Sequence, residues 1–268
     1  MHLSTQMKDI PGLAMQTFRS MFEDADYLAM IYHEIGTPLT AILGISHILA
    51  NVECSLQRKG ECNEILRDSS AMLMDLMKNM LDSSRLDDGR VELERIAFDL
   101  TKVFVEARNI ITVKAAEKGL GVHMHINKKF PTSFMGDPLR IRQILLNLLG
   151  NAIKFTSQGI ISFYMTERAI AGGCSEISIT VADCGIGIEK RQLKKIFSKG
   201  AQANSRISRK YGGTGLGLFI SQELARLMHG SITVKSWLGK GSEFTVTLPL
   251  QKAPILLAAA QSNIMEVA

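Results

Sequence analysis

Three groups of residues have types and spacings suited to chemistry. In GDPLRIRQILLNLLGNAIKFT, Gln143, Asn147, Asn151 and Lys154 recur every three or four places, which sets them on one side of a helix. Amide oxygens are hard ligands for a divalent cation, and a lysine beside them offsets phosphate charge. A solvated polar face has the same spacing. VADCGIGIEK ends an apolar strand in Asp183, a carboxylate able to accept a hydrogen bond from a purine amino group. Gly185 and Gly187 follow and let the backbone pass close to a ring. In KYGGTGLGLFISQELARLMHG, Gly212, Gly213, Gly215 and Gly217 run straight into a helix, presenting backbone N–H groups to phosphate oxygens. Arg206, Arg209 and Lys210 stand just upstream, in a polar stretch that reads either as a lid or as a plain exposed loop. Neither a Walker loop nor a dinucleotide fingerprint fits this order.

A fourth segment, YHEIGTPLTAILG, places His33 and Glu34 just before Pro38 in an amphipathic helix. A helix-interior proline removes one backbone bond and costs about 3 kcal/mol. An imidazole is a competent nucleophile near neutral pH, and an adjacent carboxylate can orient it or take its proton.

The elements that must position these groups are legible from periodicity. Apolar residues recur at helical spacing from about 12 to 51 and again from roughly 56 to 86, joined by the short polar NVECS, as in a helical hairpin. One hairpin cannot cover its own apolar stripe. A homodimeric four-helix bundle would bury it, and a monomeric hairpin lying on the rest of the chain is the competitor. After DDGR, around 87 to 90, the texture changes. A helix is expected over 99–118 and a strand at GLGVHMHI. Asp137-Pro138 then reads as an N-cap and first turn for a helix over 138–155. Strands are expected at 160–166, 175–182, 231–236 and 243–249, and helices near 189–196 and 216–229. That order indicates an α+β chain: a helical hairpin followed by an α/β sandwich.

Composition narrows the partners. The 268 residues are 46% hydrophobic and 21% charged, with a net charge of only +5 and no block of like charge. A nucleic-acid groove is not indicated; a phosphorylated small molecule is. The four cysteines lack metal-ligand spacing and point to a reducing compartment. No apolar run reaches about 18 residues, and the start lacks a signal-peptide pattern. The expectation is no direct membrane insertion and a cytoplasmic location, either free or as the cytoplasmic part of a membrane-anchored sensor.

Taken in order, these segments resemble the boxes of sensor histidine kinases, in particular the hybrid kinases of two-component phosphorelays. YHEIGTPLTAILG resembles the H box, RIRQILLNLLGNAIKFT the N box, VADCGIGI and GGTGLGLFIS the two glycine boxes, and KIFSKGAQANSRISRK the phenylalanine box with its lid. The resemblance runs from about 25 to 250. It implies a lead-in over 1–24, a dimerisation and phosphotransfer domain over 25–90, and a catalytic Bergerat-type ATP-binding domain over 91–250. His33 is then the phospho-acceptor, Glu34 its acid/base neighbour, and Thr37 the position tied to phosphatase action. ATP and Mg2+ are the implied cofactors, with Asn151 as metal ligand, Asn147 in support and Lys154 on phosphate. Asp183 reads adenine. Gly185, Gly187, Lys210, Gly213, Thr214, Gly215, Leu216 and Gly217 line the nucleotide and shape the lid. The implied partners are a second copy of the chain and a response-regulator receiver domain, in trans or elsewhere in a longer parent.

Two positions depart from the family pattern. Gly36 stands where a basic residue is usual, and FSKGAQA keeps Phe197 but lacks the second aromatic of the phenylalanine box. The tail over 251–268 resembles the opening of a truncated receiver domain, with Ala259 and Ala260 at its acidic positions. Two other functions use some of the same residues: a Bergerat-fold ATPase of another class, and a pseudokinase that regulates a partner by binding.

Overall fold

Helix α1 spans Ile10–Asn51 and α2 spans Leu56–Asp87, close to the two periodic stretches of the sequence. This computed structural model describes residues 10–51, 55–126, 133–201 and 215–253, with the backbone alone for 10–27, 30 and 51. The turn residues 52–54 and the tail from 254 onward lie outside them, as do Arg206, Arg209, Lys210, Gly212, Gly213 and Thr214. Helix α1 runs without interruption through Pro38. Ile31, Cys62 and Leu76 are buried on the hairpin, whereas Leu28, Tyr32, Leu39 and Leu43 are exposed. Spacings of four, seven and four residues put those four on one stripe of α1.

The chain divides into two compact units, one up to Leu81 and the other from Asp82. The second unit is an α/β sandwich. Its strands are β1 (Ile96–Asp99), β2 (Gly121–Ile126), β3 (Ser133–Gly136), β4 (Ile160–Ala169), β5 (Cys174–Asp183), β6 (Ser231–Trp237) and β7 (Gly241–Lys252). They form one mixed sheet in the order β1-β3-β7-β5-β4-β2, with β6 also paired to β7. Only β2 and β4 run parallel; the other pairs are antiparallel.

Helices α3 (Leu100–Glu117), α4 (Pro138–Phe155) and α5 (Gly217–Leu227) pack with this sheet and one another. Asp99 and Asp137 cap α3 and α4, accepting from the backbone N–H groups of Lys102 and Arg140 at 3.1 and 2.9 Å. Ile144, Leu145, Leu148 and Leu149 of α4 are buried with Ile177, Ile179 and Val181 of β5. Each fully buried aliphatic side chain contributes roughly 1.5–3 kcal/mol. Phe104 and Phe163 meet at 4.1 Å between ring centroids. The alternate residues of β5 and β7 are polar, and Ser178–Thr247 and Thr180–Thr245 pair their hydroxyls there at 3.3 and 2.9 Å.

One expected element is absent. Residues 190–197 form successive turns rather than a helix, closed mostly by i→i+3 bonds such as Lys195 N–H to the Gln192 carbonyl at 2.8 Å. Only Leu193 and Ile196 are apolar across 189–196, too little to stabilise a short helix by packing. Phe197, edge-on to Phe244 at 6.5 Å, anchors the segment instead.

Candidate functional site

Within the first unit the chemistry centres on one turn of α1. His33 and Thr37 are both exposed, and Glu34 lies beside them half-buried. The Thr37 hydroxyl donates to the His33 carbonyl at 3.1 Å, and its oxygen stands 3.5 Å from His33 Nδ1. A threonine has a single hydroxyl proton. With that proton on the carbonyl, the hydroxyl oxygen faces Nδ1 as an acceptor. This favours the Nδ1–H tautomer and leaves the lone pair on Nε2.

The second unit brings together residues of α4, the end of β5 and the start of α5. Asn147 donates its Nδ2 to the buried hydroxyl of Ser221 on α5 at 2.8 Å. Its Oδ1 lies where a Cβ on Gly217 would be, 2.2 Å away. Asn147 therefore locks α4 to the first turn of α5. Asn151, one turn further along, has no hydrogen-bond partner for its side chain among the described residues and is only partly exposed. Lys154 extends its ammonium over the Phe155 ring, 5.1 Å from the centroid.

Asp183 closes β5. Its Oδ1 accepts from the backbone N–H groups of Gly185 at 2.8 Å and Ser242 at 3.3 Å. Burial raises the carboxyl pKa above the usual aspartate range, and those two N–H groups only partly oppose the shift. Three glycines are required around this turn by space. A Cβ on Gly185 would meet the Phe155 carbonyl at 2.5 Å, and one on Gly187 would meet the Trp237 carbonyl at 2.1 Å. Gly241 in the β6–β7 turn would place a Cβ 1.9 Å from the Asp183 carbonyl. Gly215 has a φ of +63°, and a Cβ added there would meet the Ala201 carbonyl at 2.6 Å, so both conformation and space exclude a side chain. Leu216, buried at the N-cap of α5, has no oxygen to offer the first-turn N–H groups.

The structure thus gathers Asn147, Asn151, Asp183, Gly185, Gly187, Gly215, Leu216 and Gly217 in one unit, with His33, Glu34 and Thr37 on the other. Lys210, Gly213 and Thr214 lie outside the described residues. Ser221, Ser242 and Gly241 were not singled out in the sequence. A serine one turn into α5 and a Gly-Lys-Gly turn between two strands are its only signs of them.

The arrangement suits a nucleotide. Among the described residues, Asn151 has unspent hydrogen-bonding capacity, no side chain caps the α5 N-terminus, and the Thr156 hydroxyl is buried without a partner next to Phe155. The Asn151 side-chain oxygen fits a magnesium ion, which is usually held by few protein oxygens together with substrate phosphates. Among the described residues no cluster of His, Cys, Asp or Glu forms a metal cage of its own.

Residues 136–252 match the family model described as "Histidine kinase-, DNA gyrase B-, and HSP90-like ATPase", a description that several ATPase classes share. Residues 24–89 match the "His Kinase A (phospho-acceptor) domain". The chain belongs to the sensor histidine kinases. The phospho-acceptor match sets the hairpin apart from the other ATPases of the same fold.

Among the relatives of this histidine kinase core is the signal transduction histidine-protein kinase BarA of Escherichia coli K12. It is 34% identical over 239 residues, covering 89% of this chain and 26% of BarA. Sensor protein GacS of Pseudomonas syringae is 37% identical over 85% of this chain and 25% of its own. The chain therefore spans about a quarter of the length of these relatives. Full-length ShkA, crystallised in complex with AMPPNP, superposes with a TM-score of 0.62 at 30% identity, covering 85% of this chain and 46% of ShkA. Acinetobacter baumannii AdeS shares the fold, with a TM-score of 0.60 at 19% identity over 81% of this chain and 96% of its own. No described helix is long and apolar enough to cross a membrane.

Proposed function

We propose that this histidine kinase core phosphorylates His33 with ATP and passes the phosphoryl group to a receiver aspartate. The observation that carries the reading is the pairing, in one chain, of an exposed imidazole whose Nδ1 faces Thr37 with a nucleotide cradle whose glycines admit no Cβ. Nε2 of His33 attacks the γ-phosphorus, the bond to the β-γ bridging oxygen breaks, and ADP leaves. The proton left on the ring passes to Glu34 or to water. Asp183 accepts from the adenine amino group, Asn151 ligates magnesium with Asn147 holding α4 in place, and Lys154 meets phosphate. Magnesium supplies charge neutralisation across the phosphates. Beyond that, the side chains contribute position and electrostatics. Lys210, Gly213 and Thr214 complete the reading as lid residues, and Thr37 is assigned to dephosphorylation.

The exposed stripe of Leu28, Tyr32, Leu39 and Leu43 supports a homodimeric bundle. Light scattering is expected to give about twice the 29.5 kDa chain mass. The receiver lies in another chain or elsewhere in a longer parent, and the core works in the cytoplasm. The deciding experiment is incubation with labelled ATP and magnesium. Wild type gains label that survives alkali and is lost in acid, and His33→Ala gains none. Label retained by His33→Ala would move the acceptor elsewhere, and no label on either protein would leave a pseudokinase.

A further inference from the structure

The boundary between the two compact units falls inside α2, between Leu81 and Asp82, rather than at the Asp88–Gly89 turn where the helix ends. Five polar contacts within the second unit surround the end of α2. Asp82, 7% exposed, accepts from Gln143 Nε2 at 2.7 Å through Oδ2 and from Arg140 Nη1 at 3.4 Å through Oδ1. The same Arg140 nitrogen donates to Gln143 Oε1 at 2.9 Å, closing a three-membered network. Asp137, which caps α4, also accepts from the Glu94 backbone N–H at 3.1 Å and so ties the strap after α2 to the same helix end. Asp87, in the last turn of α2, pairs with Lys199.

Asp82 and Arg140 are largely out of water, with side-chain exposures of 10% and 16%. A buried charge that loses its partner is strongly penalised, so this network persists or breaks as a unit. Its position on α4 gives it consequence. Gln143, Asn147 and Asn151 follow one another at one-turn intervals on one face of the helix, so a displacement at Asp82 reaches the nucleotide ligands through rigid helix alone. Immediately beyond the boundary stands the Ser83–Ser84 pair, with the Ser83 hydroxyl buried and without a hydrogen-bond partner among the described residues. Serine pairs are among the places where helices bend.

We infer that Asp82, with Arg140 and Gln143, is a positioning residue for phosphoryl transfer. The last turns of α2 from Asp82 travel with the ATP-binding helix, and the hinge of the catalytic cycle lies within α2 around Leu81–Ser84. This rests on the kinase reading above and adds to it the element that conveys motion of the hairpin to Asn147 and Asn151. The network ends at Arg140 and Gln143, one turn or more before Asn147 and Asn151, so Asp82 acts on the geometry of transfer and not on affinity.

The test uses the whole chain as Asp82→Asn and Arg140→Met. Each is expected to lower the maximal rate of His33 labelling by about ten-fold or more, while affinity for a magnesium-bound ATP analogue stays within about two-fold of wild type. A purely structural role would instead lower affinity together with the rate, and that result overturns the inference, as does an unchanged rate. Hydrogen exchange provides a readout that does not depend on catalysis. When the analogue binds, residues 82–87 are expected to gain protection together with 138–155 while 60–80 do not change, and Asp82→Asn abolishes the gain in 82–87. Exchange of 82–87 in step with 60–80 overturns the inference even in a chain that never labels His33. Absence of label from wild type, with the expected exchange pattern, overturns the kinase reading alone.

Discussion

Asn147 Oδ1 occupies the space that a side chain on Gly217 would need, at 2.2 Å from an added Cβ. A helix–helix contact that close makes the two residues one unit. Gly217→Ala is therefore expected to destabilise the ATP-binding domain and to weaken nucleotide binding. Asn147→Ala alone costs about 1–2 kcal/mol through the bond to Ser221 that it gives up. Combining the two should recover part of the loss, because the alanine methyl then enters vacated space. Chemical denaturation of the four proteins in the cycle measures the coupling; additive losses would mean that the clash relaxes elsewhere.

Asn151 should behave differently. Its side chain bonds to nothing among the described residues, so Asn151→Ala is expected to leave the melting temperature within a degree or two. Metal-dependent ATP binding and His33 labelling should nevertheless be abolished. Calorimetric titration with and without magnesium decides it, and wild-type affinity in the variant would remove Asn151 from the metal site.

Asp183 predicts a conflict between stability and function. Burial raises its folded pKa above the unfolded value, so the group favours folding while protonated, and that contribution is lost as pH rises through the folded pKa. Above the folded pKa the ionised carboxylate is held at a cost. Asp183→Asn keeps an oxygen for the Gly185 and Ser242 N–H groups and removes the buried charge. The expected outcome is a higher melting temperature at pH 7, a gain that shrinks on acidification, and weaker ATP binding with poorer discrimination against GTP. A lower melting temperature at pH 7 would contradict the assignment of burial as the dominant cause.

Gly36 stands three residues from His33 on α1, and an added Cβ there meets nothing within 4 Å. Arginine therefore enters without a clash, and replacing a helix-interior glycine stiffens the helix by up to about 1 kcal/mol. A cation one turn from the phospho-acceptor also attracts the γ-phosphate. Gly36→Arg is expected to raise the initial rate of His33 labelling several-fold at saturating ATP, with ATP affinity unchanged, since the nucleotide residues belong to the other unit. An equal or lower rate with nucleotide binding intact would show that glycine does not limit transfer.

Helix α4 was fully legible in advance. Asp137-Pro138 announces its start, Ile144, Leu145, Leu148 and Leu149 announce its buried side, and a period of 3.6 leaves Gln143, Asn147 and Asn151 on the remaining side. The same holds for α1, α2 and the strands β4 to β7, because these signals are local and repeat along the chain. Segment 189–196 reads as helix in the sequence yet forms turns, because polar residues with good helix propensity look alike whether or not they have anything to pack on. The short strands β1 and β3 left no periodic trace over four residues each and exist through pairing with one another and with β7.

Within the candidate site, residue types, spacing and the family resemblance single out His33, Asn151, Asp183 and the glycines as candidates. What each is held by did not. Ser221 lies 74 residues from Asn147, Ser242 lies 59 from Asp183, and Asp82 lies 61 from Gln143. Hydrogen bonds of that sequence separation have no period and no motif. They come into being only when the sheet has set its register and the helices have been laid across it. Chain chemistry nominated the candidate groups because their types and spacing are local, and tertiary packing decided which neighbours orient them, raise the Asp183 pKa and tie the end of α2 to α4.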